Sequence, residues 1–325
     1  MDQHPQTWLI TGGAGYIGSH IADELLQNGS NVVIYDSLQA GLELRIDYLR
    51  AKHATEIPLI VADIRDEEKF EEILKKYDVS GIIHTAALKS VDESIQKRNE
   101  YMEVNYHATV SILEIAKQAN VKSFLFCSSA AVYGSPNTEG LIKESDPTNP
   151  MSPYGETKLL AENAVESFLS DTGVSGSSFR FFNVIGSASS ELADNSKGNL
   201  VPIVMNKLKN GGKPIIFGND YPTSDGTCVR DYVDVRDLAS AIVCATKYVG
   251  KLPLALNIGA GREVSVLEII STVISIQKVD VIPILGERRL GDPPRLCADI
   301  SLAKKILNFE PKYSLVDSIS SQVKR

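Results

Sequence analysis

Short apolar runs alternate with helix-length amphipathic segments over the first half of the chain, and this rhythm most constrains the fold. The runs, which we predict to be buried strands, are TWLIT (7–11), NVVIYD (31–36), PLIVAD (58–63), GIIHTAA (81–87) and SFLFCSS (123–129). The intervening segments have the apolar period of helices: IGSHIADELLQNG, DEEKFEEILKKYD and NEYMEVNYHATVSILEIAKQAN, with GETKLLAENAVESFLSDTG after the fifth run. Regular strand–helix succession is typical of right-handed βαβ units, so we predict an α/β fold with a doubly wound parallel sheet.

The rhythm weakens after a sixth run, SSFRFFNVIG (177–186), which we also predict to be one strand. Residues 187–229 are richer in Gly, Pro, Asn and Ser and have less periodic content, whereas LALNIGAG (254–261) again has a strand pattern. We therefore predict a main domain at 1–182, rejoined by about 231–260, and a smaller mixed α/β lobe at 183–230 and 261–325. Because the chain crosses between the lobes, we expect a ligand cleft at their boundary.

Charge and cysteine usage exclude several classes of function. A net charge of −8 over 325 residues argues against a nucleic-acid or anionic-membrane partner, and no apolar run is long enough to span a membrane. The four cysteines (Cys127, Cys228, Cys244 and Cys297) are widely separated, and neither they nor the five histidines have metal-ligand spacing. We expect reduced thiols, a cytoplasmic protein and no metal.

A glycine-rich turn follows the first predicted strand. Gly12, Gly15 and Gly18 lie in TWLITGGAGYIGSHIADEL, where Gly13, Gly15 and Gly18 also satisfy G-x-G-x-x-G. A lone glycine triplet is weak evidence, but this one lies between a strand and a helix, as a dinucleotide site requires. Glycine lets the backbone approach a pyrophosphate, and the helix N-terminus supplies N–H donors and a positive dipole.

Two carboxylates follow at strand ends. Asp36 ends the second predicted strand, where it would bond the ribose hydroxyls of a dinucleotide and repel a 2′-phosphate, which favours NAD over NADP. Asp63 ends the third strand, where it could accept a hydrogen bond from the adenine amino group or cap the following helix. The sequence leaves these two interpretations of Asp63 open.

A candidate proton-transfer group lies where the fifth strand ends. Ser128 and Ser129 end that strand, and Tyr154 and Lys158 lie one turn apart near the start of the next helix. The pair could be surface neighbours, but a nearby ammonium and a nicotinamide ring would lower the tyrosine pKa from about 10 and let it accept a hydroxyl proton. Ser129 would hydrogen-bond the same substrate oxygen.

These residues and motifs resemble those of the extended short-chain dehydrogenase/reductases, and within them the UDP-glucose and other UDP-hexose 4-epimerases. The resemblance spans almost the whole chain: TGGAGYIGSH, ADIRD, ALKSVDESIQK, SSAAVYG, SPYGETK, FRFFNVIG, IFGNDYPTSDGTCVRDYVDV, NIGAG and RRLGDPP. It implies a Rossmann domain with a UDP-sugar-binding lobe, and an enzyme that inverts C4 of a UDP-hexose. In such enzymes NAD⁺ takes a hydride from C4 and the 4-keto sugar rotates about its link to UDP. The hydride then returns to the opposite face of the sugar.

The resemblance also implies roles for individual residues. The catalytic residues would be Ser129, Tyr154 and Lys158. NAD would contact Gly12, Gly15, Tyr16, Ile17, Gly18, Asp36, Asp63, Ile64, Lys89, Asn105, Tyr154 and Lys158. The UDP-sugar would contact Lys89, Ser129, Tyr154, Asn183, Asn199, Leu200, Arg230, Arg289, Asp292 and Leu296. Physical chemistry also favours this role for Arg230 and Arg289, because a diphosphate in an acidic protein needs bidentate cationic partners.

Other functions stay open at this point. A nucleotide-sugar 4,6-dehydratase would need an acid and a base where this chain has Ala130 and Ala131, which disfavours it. A redox-sensing dinucleotide-binding protein or a net oxidoreductase would share the Rossmann domain. The resemblance implies that Leu296 occupies the position that admits or excludes a C2 N-acetyl group. Leucine is of intermediate size, so UDP-GlcNAc, uronate and pentose substrates stay open.

The resemblance further implies a homodimer in which helices around 95–118 and 153–172 pack as a four-helix bundle. The chain ends soon after PKYSLVDSISSQVKR, from which we expect a trimmed C-terminal helix.

Overall fold

A seven-stranded parallel sheet forms the centre of the protein. The computed structural model describes residues 6–136, 140–196, 198–248, 250–289 and 292–323. The sheet strands are β1 (Thr7–Thr11), β2 (Asn31–Asp36), β3 (Leu59–Val61), β4 (Gly81–His84), β5 (Ser123–Ser129), β6 (Ser175–Phe181) and β10 (Ala255–Ile258). Their order is β10-β6-β5-β4-β1-β2-β3, with all neighbours parallel. The predicted doubly wound sheet is confirmed.

Helices cover both faces of this sheet. They are α1 (Tyr16–Gln27), α2 (Glu43–His53), α3 (Glu67–Lys76), α4 (Val91–Gln96), α5 (Arg98–Tyr101), α6 (Ala108–Gln118), α7 (Pro153–Thr172) and α9 (Val235–Thr246). Because strand side chains alternate between faces, Trp8 and Ile10 join one core cluster and Leu9 joins the other. Helices α1 and α9 pack on the first cluster, and α3, α6 and α7 pack on the second.

The long helix predicted from NEYMEVNYHATVSILEIAKQAN is not a single α-helix. A π-helical segment, Met102–His107, joins α5 to α6. Such segments shift the register of the side chains that follow, so periodicity alone does not reveal them.

The predicted single strand SSFRFFNVIG is also corrected, because it forms two strands in two different sheets. After β6 ends at Phe181 the chain leaves the main sheet, and β7 (Asn183–Ile185) pairs in parallel with β9 (Val229–Asp234). This short crossing places Asn183 between the two sheets.

A smaller lobe surrounds β9. It contains β7, β9, β11 (Glu263–Ser265) and β13 (Arg295–Leu296) in one sheet, and β8 (Ile215–Phe217) with β12 (Ile284–Gly286) in a second. Its helices are α8 (Leu200–Lys209), α10 (Val266–Gln277) and α12 (Leu315–Gln322), and a separate core cluster includes Ile185, Val204, Ile269 and Ile319.

The predicted domain boundaries stay a prediction, although the positions of two elements bear on them. Strand β9 pairs within the smaller lobe, whereas α9, which follows it directly, packs against the main core. Helix α11 (Ser301–Leu307) buries Ala303 and Leu307 against the main core as well. The chain therefore crosses between the lobes more often than composition alone indicates.

No helix in the described part of the chain has the length and apolarity to cross a membrane.

Candidate functional site

A cavity of about 1180 Å³ lies where the carboxyl ends of the main-sheet strands meet the smaller lobe. Nearly all the predicted site residues line it. They are Gly12, Gly15, Tyr16, Ile17, Gly18, Asp36, Asp63, Ile64, Lys89, Ser129, Tyr154, Lys158, Asn183, Asn199, Leu200, Arg230, Arg289, Asp292 and Leu296. Residues from distant parts of the sequence therefore share one cavity, and Asn105 is the predicted site residue that does not line it.

The glycine turn forms one end of the cavity. Gly12 has a φ of 66°, a left-handed conformation suited to glycine, and its N–H donates to Tyr35 O at 2.8 Å. A Cβ on Gly18 would overlap the carbonyl oxygen of Gly12 and lie 2.7 Å from the Cα of Gly13. In the described chain no side chain caps the α1 N-terminus, so its first-turn N–H groups can receive an anion.

Asp36 lies beside this turn in a fixed orientation. Its Oδ2 accepts from Ala14 N at 3.0 Å, and its Oδ1 accepts from Leu38 N at 2.8 Å. Burial raises the pKa of this carboxyl, while the two backbone N–H groups oppose the shift. The remaining acceptor positions of the two oxygens are available to ribose hydroxyls.

Asp63 is not the cap of the following helix. Asp66 caps α3 by accepting from Lys69 N, whereas Asp63 forms an ion pair of 2.7 Å with Arg65. The hydrogen bond from Arg65 lowers the pKa of Asp63 and keeps a negative charge at the cavity rim. Of the two interpretations left open, the capping one is wrong, and a contact with an adenine amino group stays a prediction.

The start of α7 brings Tyr154 and Lys158 to the end of β5. Ser152 caps the helix by accepting from Gly155 N at 3.1 Å, and Pro153 occupies its first turn. A Cβ at Gly155 would lie 2.7 Å from Ala131 O, so glycine lets the helix approach the 3-10 turn Ala130–Tyr133 closely.

Lys158 is buried at 3% exposure and is held by β5. Its Nζ donates to Cys127 O at 2.8 Å and lies 4.7 Å from the centroid of the Phe126 ring. Burial lowers the pKa of Lys158 to about 8, with Cys127 and Glu162 opposing the shift.

The pKa of Tyr154 differs from the sequence-based expectation. Burial raises it, and the hydrogen bond with the Ser129 hydroxyl opposes the rise. We expected the lysine ammonium to lower it, but that group is bonded to the Cys127 carbonyl and desolvation dominates. A lowered pKa therefore depends on the added positive charge of a nicotinamide ring.

The far end of the cavity belongs to the smaller lobe. Arg230 is 8% exposed, and its guanidinium donates to Pro293 O and forms a 2.7 Å ion pair with Asp292. Arg289 lies over the Phe217 ring, with its guanidinium carbon 4.2 Å from the ring centroid. Two arginines and an aromatic face together suit a nucleoside diphosphate.

Asn105 lies behind the cavity wall. Its side-chain amide exchanges two hydrogen bonds with the Leu88 backbone, at 2.8 and 2.9 Å, and donates to Thr157 Oγ1 at 3.2 Å. The predicted contact between Asn105 and the cofactor stays a prediction. In the structure this residue holds Leu88, the neighbour of Lys89.

A family model described as the NAD dependent epimerase/dehydratase family matches residues 8–259. The chain belongs to this family. It is 37% identical over 321 residues to the UDP-glucose 4-epimerase of Lactobacillus helveticus, a match that covers 96% of this chain and 94% of that protein.

Solved structures of similar proteins agree with this membership of the NAD dependent epimerase/dehydratase family. A UDP-glucose 4-epimerase from Stenotrophomonas maltophila with bound NAD and formylated UDP-arabinopyranose has a TM-score of 0.92 at 35% identity, and the match covers 98% of this chain and 97% of that one. A UDP-glucose 4-epimerase from Bifidobacterium longum in complex with NAD⁺ and UDP has a TM-score of 0.91 at 32% identity, with the same coverage.

The residues of this family member fit NAD on their own geometry. The uncapped α1 N-terminus can receive a pyrophosphate, the missing Cβ atoms at Gly12 and Gly18 let the turn pack closely on the neighbouring backbone, and Asp36 is oriented for ribose. Among the described residues, no group of His, Cys, Asp or Glu is arranged to hold a metal ion.

Two of the cavity residues that the sequence did not indicate make specific contacts there. Arg45, 1% exposed, donates to Ala14 O at 3.1 Å and to Ala193 O at 2.9 Å, so it joins the glycine turn to the loop before α8. It lies on α2, a helix with no clear apolar period. Phe217 lies in the motif IFGNDYPTSDGTCVRDYVDV, but only its position under the Arg289 guanidinium indicates a role in the cavity.

Proposed function

We infer that the protein is an NAD-dependent epimerase that inverts C4 of a UDP-hexose, with UDP-glucose and UDP-galactose as its substrate pair. The observation that carries this inference is that Ser129, Tyr154 and Lys158 line the same cavity as the glycine turn and Arg230. When bound, NAD supplies reversible hydride exchange with the sugar carbon. The protein therefore needs a group that takes and returns one proton, and it needs no net oxidant.

Tyr154 is the proposed proton acceptor and donor at the C4 hydroxyl. Its hydrogen bond with Ser129 favours the phenolate, because a hydroxyl donor stabilises that charge. Lys158 supplies a nearby positive charge on a side chain fixed by Cys127 O, and it is proposed to hold the nicotinamide ribose. All three groups lie on rigid elements, which keeps the proton transfer geometry constant.

UDP is proposed to lie against the smaller lobe. Arg230 and Arg289 would bind the diphosphate, and the Asp292 carboxylate holds the Arg230 guanidinium in place. Lys89, Asn183, Asn199 and Leu200 are proposed to complete the binding site, since all four line the cavity. An ion pair within the site keeps the arginine oriented before substrate arrives.

A 4,6-dehydratase is disfavoured by two alanines next to Ser129. Ala130 and Ala131 both line the cavity at the start of the 3-10 turn. Eliminating water across C5 and C6 needs an acid and a base beside the sugar, and methyl groups can transfer no proton.

The size of the side chain at Leu296 bears on which substituent the sugar can carry at C2. This residue is partly buried on β13, where it pairs with Arg230 and lines the cavity. A leucine leaves more room than an aromatic residue would, which favours some tolerance of a C2 N-acetyl group. Leu296→Tyr should then abolish turnover of UDP-GalNAc while UDP-galactose is still converted.

One assay tests the proposed function. Purified protein is incubated with UDP-galactose, UDP-GalNAc and a UDP-pentose, the products are separated by chromatography, and bound nicotinamide is quantified after denaturation. We expect UDP-glucose from UDP-galactose without added NAD and without accumulation of free NADH. Free NADH would indicate a net oxidoreductase, and bound NAD without turnover would indicate a redox-sensing protein; either result would overturn the proposal.

We also propose a homodimer formed through α4 to α7. Ile95 is 67% exposed on α4, and Met102, Tyr106 and Val110 are partly exposed on the π-helical segment and α6. These side chains favour burial against a second copy, in agreement with the predicted four-helix bundle.

A cytoplasmic location is proposed from the cysteines. Cys127, Cys228 and Cys297 are buried free thiols, and Cys244 is an exposed one, which suits a reducing compartment. Recovery outside the cytosolic fraction of lysed cells would contradict this location.

A further inference from the structure

Helix α7 presents three polar side chains to the end of β5, at intervals of four residues. Tyr154 is hydrogen-bonded with Ser129, Lys158 donates to Cys127 O, and Glu162 accepts from the Ser128 hydroxyl. Residues four apart lie on one face of a helix, so these three bonds follow one another along the same line of contact. The proposed reaction uses the first two side chains and assigns nothing to Glu162.

Glu162 is 6% exposed, and its charge is balanced within the protein. Arg180 on β6 donates to both of its carboxylate oxygens, with a shortest distance of 2.8 Å. Arg180 also donates to the Tyr133 hydroxyl at 2.9 Å, and Tyr133 donates to Asn257 Oδ1 at 2.7 Å. The carboxylate is thus held by a buried network that reaches β6, β10 and the 3-10 turn.

We propose that Glu162 is a positioning residue of the epimerase site, which holds Ser128 and thereby fixes helix α7 against the end of β5. This inference rests on the proposed function. The bond from Lys158 to Cys127 O attaches α7 to the end of β5 at one point. The charge-assisted bond from Ser128 to Glu162 attaches it at a second point one turn further, and the two together hold Tyr154 beside Ser129. A displacement of about 1 Å in a catalytic group can cost up to 10²-fold in rate, so a positioning bond has a measurable effect on kcat.

Glu162 also contributes to the charge environment of Lys158. Three ionisable groups act on or face Lys158: Cys127 on β5, His84 on β4 and Glu162 on its own helix. Arg180 lies beyond Glu162 and neutralises part of its effect. The Glu162 charge favours the ammonium form of Lys158, and its loss would favour the neutral amine.

Two variants separate positioning from charge. Ser128→Ala removes the hydroxyl but leaves the Glu162–Arg180 ion pair intact. Glu162→Gln keeps a side-chain oxygen that can accept from Ser128 but removes the negative charge. Glu156→Gln is the matched control, because Glu156 lies on the same helix and forms a surface ion pair of 2.6 Å with Arg98. We expect the control to retain the activity of the unaltered protein.

The readouts are kcat and KM for UDP-galactose, bound NAD, melting temperature and the pH profile of kcat. For Ser128→Ala we expect kcat to fall about tenfold, with KM and NAD content changed less than about twofold and the pH profile unmoved. For Glu162→Gln, whose amide oxygen still accepts from Ser128, we expect a smaller loss of kcat than in Ser128→Ala. We also expect an alkaline limb moved to lower pH, since losing the carboxylate charge lowers the pKa of Lys158.

A Ser128→Ala protein with the kcat of the unaltered protein would overturn the inference. So would a Glu162→Gln protein that loses as much kcat as Ser128→Ala at an unchanged melting temperature, because the bond to Ser128 would then not be what matters. If Glu162→Gln fails to fold because Arg180 loses its partner, Ser128→Ala decides the matter alone. Failure of the proposed function is distinguishable, because the unaltered protein would then convert no UDP-galactose.

Discussion

The ammonium of Lys158 donates a 2.8 Å hydrogen bond to the main-chain oxygen of Cys127, two residues before Ser129. A helix from one part of the chain is thereby attached to a strand end from another. This bond fixes the distance between the tyrosine that precedes Lys158 on the helix and the serine that ends the strand.

Replacing the phenol should remove the chemistry and leave binding intact. We expect Tyr154→Phe to lower kcat by about 10²-fold or more, because it removes the hydroxyl that we propose takes and returns the C4 proton. KM for UDP-galactose and NAD content should be little changed. Steady-state kinetics check this, with Tyr48→Phe as the control, since Tyr48 lies outside the cavity. Unchanged turnover in Tyr154→Phe would contradict the assignment.

The activity should fall as the pH rises through the pKa of Lys158, which burial lowers to about 8. Above that pH the amine is neutral and donates a weaker hydrogen bond to the ribose that we propose it holds. In Lys158→Arg, whose guanidinium stays charged, any residual activity should persist to higher pH. The pH profile of kcat for the unaltered protein and for Lys158→Arg tests this prediction. Alkaline limbs at the same pH in the two proteins would contradict it.

The lowered pKa of Lys158 affects stability in the opposite direction from activity. Between pH about 8 and the ordinary lysine value of 10.5, the unfolded chain binds more protons at this position than the folded protein does. The contribution of Lys158 to the free energy of unfolding therefore increases with pH over this window. Denaturant unfolding over that range would show whether the loss of activity is separate from unfolding.

A methyl group at Gly18 should disrupt the cofactor site. Gly18→Ala places a Cβ against the Gly12 carbonyl, so the turn must shift, and we expect a loss of about 1–3 kcal/mol in stability and of most of the bound NAD. Gly140→Ala is the control, because no atom lies within 4 Å of its added Cβ. Nicotinamide content and thermal melting provide the readout. Full NAD content in Gly18→Ala would refute this account of the turn.

Asp36 should determine the choice of dinucleotide. Its two oxygens accept from two backbone N–H groups, and an asparagine amide can satisfy one of them only. We expect Asp36→Asn to weaken NAD binding about tenfold or more and to narrow the preference for NAD over NADP. Asp47→Asn, an exposed carboxylate paired with Arg50, is the matched control. Titration of the apoprotein with NAD and with NADP measures both affinities. An unchanged NAD affinity in Asp36→Asn would contradict this role of Asp36.

The proposed dimer can be tested at Ile95. A glutamate there should destabilise association, because its charge would be buried between subunits. We expect Ile95→Glu to have a monomeric mass by light scattering, whereas Ile282→Glu, at a 79% exposed isoleucine far along the chain, should not change the mass. A monomeric mass for the unaltered protein would contradict the dimer itself.

Local patterns in the sequence were sufficient for much of this site. Gly12, Asp36, Ser129 and Tyr154 each lie at a strand end or a helix start, where a parallel sheet collects functional groups at one edge. The break between β6 and β7 was not predictable, because SSFRFFNVIG has the pattern of one strand and only its pairing partners divide it. The bonds between Asn105 and the Leu88 backbone were not predictable either, because no spacing reveals them.

The sequence by itself determined the succession of the first five strands, the glycine turn and the spacing of Tyr154, Lys158 and Glu162 along one helix face, since these depend on neighbours in the chain. Tertiary structure alone decided what those side chains meet. The direction of the Tyr154 pKa shift, the lysine bonded to Cys127 and the carboxylate shared by Ser128 and Arg180 follow from burial and from contacts between distant segments. Desolvation and hydrogen bonding act through space, and a linear pattern carries no record of either.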